Sequence, residues 1–127
     1  MMIRIRFAIG VCALVLATGL ASSASAAAPT ATASKTCKLT ITQQRNSGAT
    51  YLVSLSVTGV NCSTGLKVEK AFQSCRRTTA GHRTCEKRIL RYGCKQTVLD
   101  SVKTQYDAQV TCRSGSRIVK FTYTQNT

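Results

Sequence analysis

The sequence predicts an α+β domain: one helix packed on an antiparallel sheet, in the order β-β-α-β-β-β, stapled by three disulfides. Three observations carry that prediction. Runs of alternating apolar and polar residues flank one longer segment with helical spacing. An even set of cysteines remains once a leader is removed. The remaining chain of roughly 100 residues makes one domain with a modest core that benefits from cross-links.

The leader is read from the N-terminus. Arg4 and Arg6 precede an apolar run from Phe7 to Ala21, and the small residues "SSASAAAP" follow. A basic head, a short apolar middle and an A-x-A exit describe a signal peptide over residues 1–26, cut after Ala26. The apolar run falls short of the ~20 residues a membrane span needs. No later segment is apolar enough to cross, so the expectation is a secreted, extracellular protein with no transmembrane span after signal removal. A small, polar tail at 27–35 leads into the domain at 36–127.

The elements follow in order. "CKLTITQQ" alternates, with Cys37, Leu39 and Ile41 on one face. "RNSGA" supplies a turn, and "YLVSLSVTG" alternates again, with Tyr51, Val53, Leu55 and Val57 inward. Asn61 then caps a predicted helix through "CSTGLKVEKAFQSCRR". Its apolar stripe is Leu66, Phe72 and Cys75, flanked by Val68 and Ala71. "TTAG" ends the helix. Three strands follow: Leu90, Tyr92 and Cys94 share a face in the first; Tyr106, Ala108, Val110 and Cys112 in the second; Val119, Phe121 and Tyr123 in the third. "RSGS" joins the last two as a tight turn. A helix on one sheet face buries one stripe against one surface.

Cys12 leaves with the leader, and Cys37, Cys62, Cys75, Cys85, Cys94 and Cys112 remain of the seven. In an exported chain six cysteines read as three disulfides. Cys62 and Cys75 lie at opposite ends of the predicted helix, about 20 Å apart at 1.5 Å per residue, so they do not pair, because a disulfide needs Cα atoms within about 7 Å. Cys75 closes onto Cys85 through the loop "RRTTAGHRT". A helix antiparallel to the strand after it favours Cys62–Cys94, leaving Cys37–Cys112. Pairing of Cys94 with Cys112 across neighbouring strands stays open.

Charge bounds the partners. The chain has 18 Lys+Arg against 4 Asp+Glu, a net charge of +14, and loss of Arg4 and Arg6 leaves +12. Such an excess favours anionic surface polymers or an acidic protein, with nucleic acid bound non-specifically. The one concentration of positive charge, "CRRTTAGHRTCEKR", holds Arg76, Arg77, Arg83, Lys87 and Arg88, the candidate anion-binding residues.

Several enzyme classes lack their parts. Structural zinc sites use close ligand pairs such as C-x2-C, and these cysteines are spaced x12, x9 and x8 from Cys62 onward. Neither a metal nor a cofactor is expected. A cysteine nucleophile needs a free thiolate beside its histidine, and an even mature count leaves none. A glycosidase needs two placed carboxylates; the four acids form no evident pair. A small secreted ribonuclease is an alternative, with Glu69 or Glu86 and His82 moving protons and Arg76 or Arg77 holding phosphate.

The segments "VNCSTGLKVEKAFQSCR", "RILRYGCKQT", "DAQVTCRSG" and "RIVKFTYTQ" resemble a group of small exported disulfide-containing proteins of high-GC Gram-positive bacteria. There a cysteine opens a helix with an alanine-rich C-x-x-A start, a G-x-x-C or G-x-C strand follows, and a V-x-C-x-x-G strand ends the domain. Gly65 stands here where the alanine usually lies. The resemblance covers a little over half the chain and implies the fold and export. The group has no assigned activity, so no catalytic residue is carried over. The functional expectation is a non-catalytic, exported basic domain associating with cell-surface or other anionic partners. The alternative is an inhibitor or toxin-like ligand of a secreted protein, presenting the loop 75–85.

Overall fold

The computed structural model describes residues 32–81 and 83–127. The leader, the start of the tail and His82 lie outside the described residues. Seven elements follow in chain order: β1 (Lys35–Thr36), α1 (Ile41–Arg45), β2 (Tyr51–Thr58), α2 (Cys62–Thr78), β3 (Gly93–Val102), β4 (Gln105–Ser114) and β5 (Arg117–Asn126). The strands form one antiparallel sheet in the order β1-β2-β5-β4-β3. Helix α2 covers one face of it. The α+β reading therefore holds, with a short additional helix.

The core lies between α2 and the β2, β5 and β4 strands. Leu52, Leu55, Val57, Val110, Val119 and Phe121 close around Val68 and Phe72. Phe72 meets Phe121 edge-on, with ring centroids 5.6 Å apart, the arrangement the ring quadrupoles favour. Tyr106, Ala108, Val110 and Cys112 face the helix together, as do Val119, Phe121 and Tyr123, so both predicted faces stand. Gly115, at φ +60°, makes the two-residue turn between Ser114 and Arg117.

Helix α2 begins where the sequence places it. Asn61 accepts a hydrogen bond from the Thr64 amide at 2.8 Å. Its buried face, however, is rotated from the predicted stripe. Gly65, Val68, Glu69, Phe72, Gln73 and Arg76 are buried, in a clean i, i+3, i+4, i+7 series. Leu66, Ala71 and Cys75 are only half-buried. Half the buried face is polar, so a search for an apolar stripe finds the wrong meridian. Glycine at position 65 has a steric reason. A Cβ there would stand 2.7 Å from Val57 Cγ1 and 3.4 Å from Leu55 Cδ2.

Four expectations are corrected. Residues 37–44 are not a strand, because Thr40 and Gln43 form a reciprocal capping box that starts α1. Ile41 is left exposed. In β2, a bulge between Leu52 and Ser54 breaks the alternation. Leu52 is fully buried, whereas Tyr51 and Val53 face out. Ahead of β3, Ile89 and Tyr92 exchange backbone hydrogen bonds of 3.0 and 2.7 Å across a two-residue turn. Leu90 therefore projects to solvent, and Ile89 takes the inward place beside Tyr92.

The last correction concerns the cross-links. Cys75 bonds Cys85, as predicted, and Cys62 does not bond Cys75. The other bridges are Cys37–Cys62 and Cys94–Cys112, not Cys62–Cys94 and Cys37–Cys112. The reason is the position of α2. It packs on β2 and β5, so its N-terminus lies by the β1 edge, where Cys37 follows Thr36, while β3 is at the opposite edge. Cys94 and Cys112 then stand opposite each other on β3 and β4, with Cα atoms 4.0 Å apart.

Candidate anion-binding cleft

The polar half of the α2 face builds the site. Glu69, Gln73 and Arg76 stand one turn apart on one side of the helix, all buried. Arg76 is nearly inaccessible at 2% exposure, although it is a cation. Burial of a charge requires partners, and the strands supply them. Arg76 Nε donates to Gln73 Oε1, Nη2 donates to Gln125 Oε1, and Nη1 reaches the Tyr106 hydroxyl at 3.4 Å. Its guanidinium carbon lies 5.0 Å from the centre of the Tyr123 ring. These four groups are neutral and fix the orientation of the guanidinium.

The tyrosines are tied in turn. Tyr123 donates to Gln96 Oε1 at 2.7 Å, and its oxygen lies 3.5 Å from the Tyr106 hydroxyl. Burial pushes the Tyr123 phenol far above its ordinary range, with the Tyr106 hydroxyl adding to the effect. Tyr123 therefore stays protonated at any working pH and serves as a fixed donor. One turn along α2, burial raises the Glu69 carboxyl from 4.5 to about 7. Gln73, Lys70, Ser47 and Arg76 pull it back only partly. Neither carboxyl oxygen reaches hydrogen-bond geometry with any of them.

Above this buried layer lies an open cavity of about 720 Å³. Arg76 and Arg77 at the end of α2, Arg83 from the 75–85 loop, Tyr106 of β4 and Gln125–Thr127 line it, with Gly48–Thr50 as the far wall. Hydrogen bonds tie the far wall to β5: Thr50 Oγ1 accepts from the Asn126 amide at 2.9 Å and from Gln125 Nε2 at 3.3 Å. Arg83 folds inward over the Tyr106 ring, 5.6 Å from its centre. A second cavity of about 460 Å³ adjoins on the other side of Gly48 and Ala49, lined by Arg45, Lys70 and the shared Arg77. Gly48 takes φ +99°, and a Cβ there would meet Gln73 Cβ at 3.0 Å. The loop can lie this close to α2 only with glycine.

Five cationic side chains, Arg45, Lys70, Arg76, Arg77 and Arg83, thus line two adjoining cavities that share Arg77, and among the described residues no carboxylate side chain lines either. Of the five candidate anion-binding residues, the fold brings Arg76, Arg77 and Arg83 together. Lys87 and Arg88 stand apart; Arg88 Nη2 donates to the Arg91 carbonyl at 3.0 Å. The sequence reading missed Arg45 and Lys70, which join the site only because α1 and the 46–50 loop fold against α2. Neither Glu69 nor Glu86 lines the cleft.

All six cysteines of the described residues are oxidised. Those residues contain no group of three or more His, Cys, Asp or Glu placed to hold a metal ion. No helix among them is long and apolar enough to cross a membrane. Comparison with protein-family models, curated proteins and solved structures finds no match to this chain.

Proposed function

We propose that this protein is an exported basic module that holds an anionic polymer of the cell surface in the cleft beside α2. The observation that carries the reading is the convergence of five cations, from α1, α2 and the 75–85 loop, on a groove lined by no carboxylate side chain among the described residues. A solubility coat would scatter its charges; here Arg76 is buried at a structural cost and held by Gln73, Tyr106 and Gln125. Three disulfides in one small domain suit an oxidising, extracellular setting. The 75–85 loop supports cleft binding over display to a protease, because Gly81 and Arg83 line the cavity and Arg83 packs over Tyr106.

The test uses the protein lacking residues 1–26 and a soluble polyphosphodiester as probe, with affinity measured against salt. Arg77→Glu with Arg83→Glu is compared with Lys87→Glu with Arg88→Glu, which changes net charge equally. The cleft reading expects the first pair to weaken binding on the order of 100-fold and to flatten the salt dependence, while the second changes it only a few-fold. Equal losses from both pairs overturn it in favour of diffuse attraction.

A further inference from the structure

The sheet has two edges of very different character. The β1 edge is two residues long. The β3 edge is ten residues long and is bonded on one side alone, to β4. Along it Val98, Leu99 and Val102 are about half exposed or more, at 47%, 56% and 61%. An open strand of this length is a template for another strand.

Charge identifies the strand that fits. The chain is strongly basic, yet β3 carries one cation, Lys95, and one anion, Asp100. Lys95 is registered with Thr111 and Asp100 with Asp107. Alternation along β4 therefore places Lys95, Asp100 and Asp107 on the same sheet face, away from α2. Asp100 and Asp107 oppose each other directly, a destabilising like-charge pair. Asp100 accepts the neighbouring Ser101 amide and Asp107 the Thr124 hydroxyl; among the described residues no cation neutralises either.

We infer that β3 pairs antiparallel with β3 of a second copy, about a two-fold axis through Thr97, so that Lys95 of each copy meets Asp100 of the other. Backbone polarity allows this register. Cys94 and Cys112 lie opposite each other with Cα atoms only 4.0 Å apart, which marks a non-hydrogen-bonded pair. Residues at that phase, Cys94, Gln96 and Val98, point their N–H and C=O groups toward the open edge. With Thr97 on the axis, Gln96 of one copy faces Val98 of the other, and each such pair exchanges two hydrogen bonds. The bulge between Val98 and Asp100 spaces the register so that Lys95, two positions before the axis, matches Asp100, two positions after it. Val98 is covered in the process. Lys95 and the bulge discourage pairing with strands in general. A strand with an acid at the matching place removes the charge obstacle, and β3 itself is such a strand. This inference does not rest on the cleft, which lies on the helix-covered face.

The experiment is sedimentation equilibrium on the protein lacking residues 1–26. A dimer with a dissociation constant of order micromolar is expected for so small an interface. Lys95→Glu or Asp100→Lys alone weakens it at least tenfold, and the double exchange restores it. Both side chains are exposed, and circular dichroism checks each fold. In parallel, Thr97→Cys cross-links to itself on oxidation, because Cα atoms of a non-hydrogen-bonded pair stand about 4.5 Å apart. Lys103→Cys does not, since its two copies stand roughly 30 Å apart along the paired strands. A wild-type monomer at millimolar concentration overturns the inference. So does a dimer indifferent to both single charge reversals.

Discussion

Glu69 makes the stability of this fold depend on pH in the direction opposite to most carboxylates. Its side chain is fully buried and its oxygens lack hydrogen-bond partners, so the neutral form is favoured. Burial raises its pKa from 4.5 to about 7. Unfolding exposes the group and lets it ionise near 4.5, so between those values the native state holds a proton that the unfolded state has released. The stabilising contribution is complete below pH 4.5 and is lost as pH rises to about 7. Holding that proton between 4.5 and about 7 corresponds to about 3 kcal/mol, a large part of the stability of a small domain. Glu69→Gln keeps the shape and removes the titration. Denaturant unfolding of both proteins, with disulfides intact, is measured from pH 4 to pH 8. The variant gains about 3 kcal/mol relative to wild type across that range, and its melting temperature rises of order 10–20 °C relative to wild type. Parallel stability profiles would mean that the carboxyl is hydrated or paired in solution, and the account of the buried layer would fail.

Gly65→Ala raises helix propensity by ~1 kcal/mol but places a methyl 2.7 Å from Val57 Cγ1. Overpacking of this kind costs ~1–3 kcal/mol, so a net loss of about 1 kcal/mol is expected in denaturant melts, recovered in part by adding Val57→Ala. At the turn between Ile89 and Tyr92, Leu90 and Arg91 both take positive φ, at 46° and 71°. Replacing them with Asn-Gly suits that geometry and should stabilise the protein by ~1–2 kcal/mol; an unchanged melting temperature argues against the turn as described. Changing Cys75 and Cys85 together to serine removes roughly 3 kcal/mol of cross-link stabilisation. It also frees the loop that carries Arg83, so polyanion affinity falls even where the domain remains folded by circular dichroism.

Legibility in the sequence followed how local each signal was. Asn61 announced α2 because capping depends on residues three apart, and β4 and β5 announced their faces because alternation is unbroken there. The bulge at Val53 escaped because it inserts one residue without any change of composition, and it reverses every side chain before it. Thr40 and Gln43 carried a readable capping signature, but the alternation of Cys37, Leu39 and Ile41 masked it. The Cys75–Cys85 bridge followed from local geometry. The other two bridges depend on which strands lie under α2, a tertiary fact that no spacing encodes. The cleft was half visible: Arg76, Arg77 and Arg83 cluster in sequence, whereas Lys70 lies earlier on α2, outside that cluster, and Arg45 arrives from α1.

Why α2 buries a polar half-face at all connects the core to the cleft. An apolar series at 69, 73 and 76 would pack better against Tyr106 and Tyr123 and would remove the buried carboxyl. Instead, Gln73 and Gln125 hold Arg76 from two sides while Tyr106 and Tyr123 support it from the sheet. A guanidinium fixed this way loses little entropy when an anion arrives, which is the advantage of preorganisation. The disulfides sit where that rigidity is needed. Cys75 is the neighbour of Arg76, and its bond to Cys85 anchors both ends of the segment that brings Arg83 over Tyr106. Arg76→Leu separates the two roles. It should raise the melting temperature or leave it unchanged, because the desolvated charge is gone, and it should reduce polyanion binding. A large loss of stability instead would make Arg76 a structural keystone and leave Arg77 and Arg83 to account for the cleft.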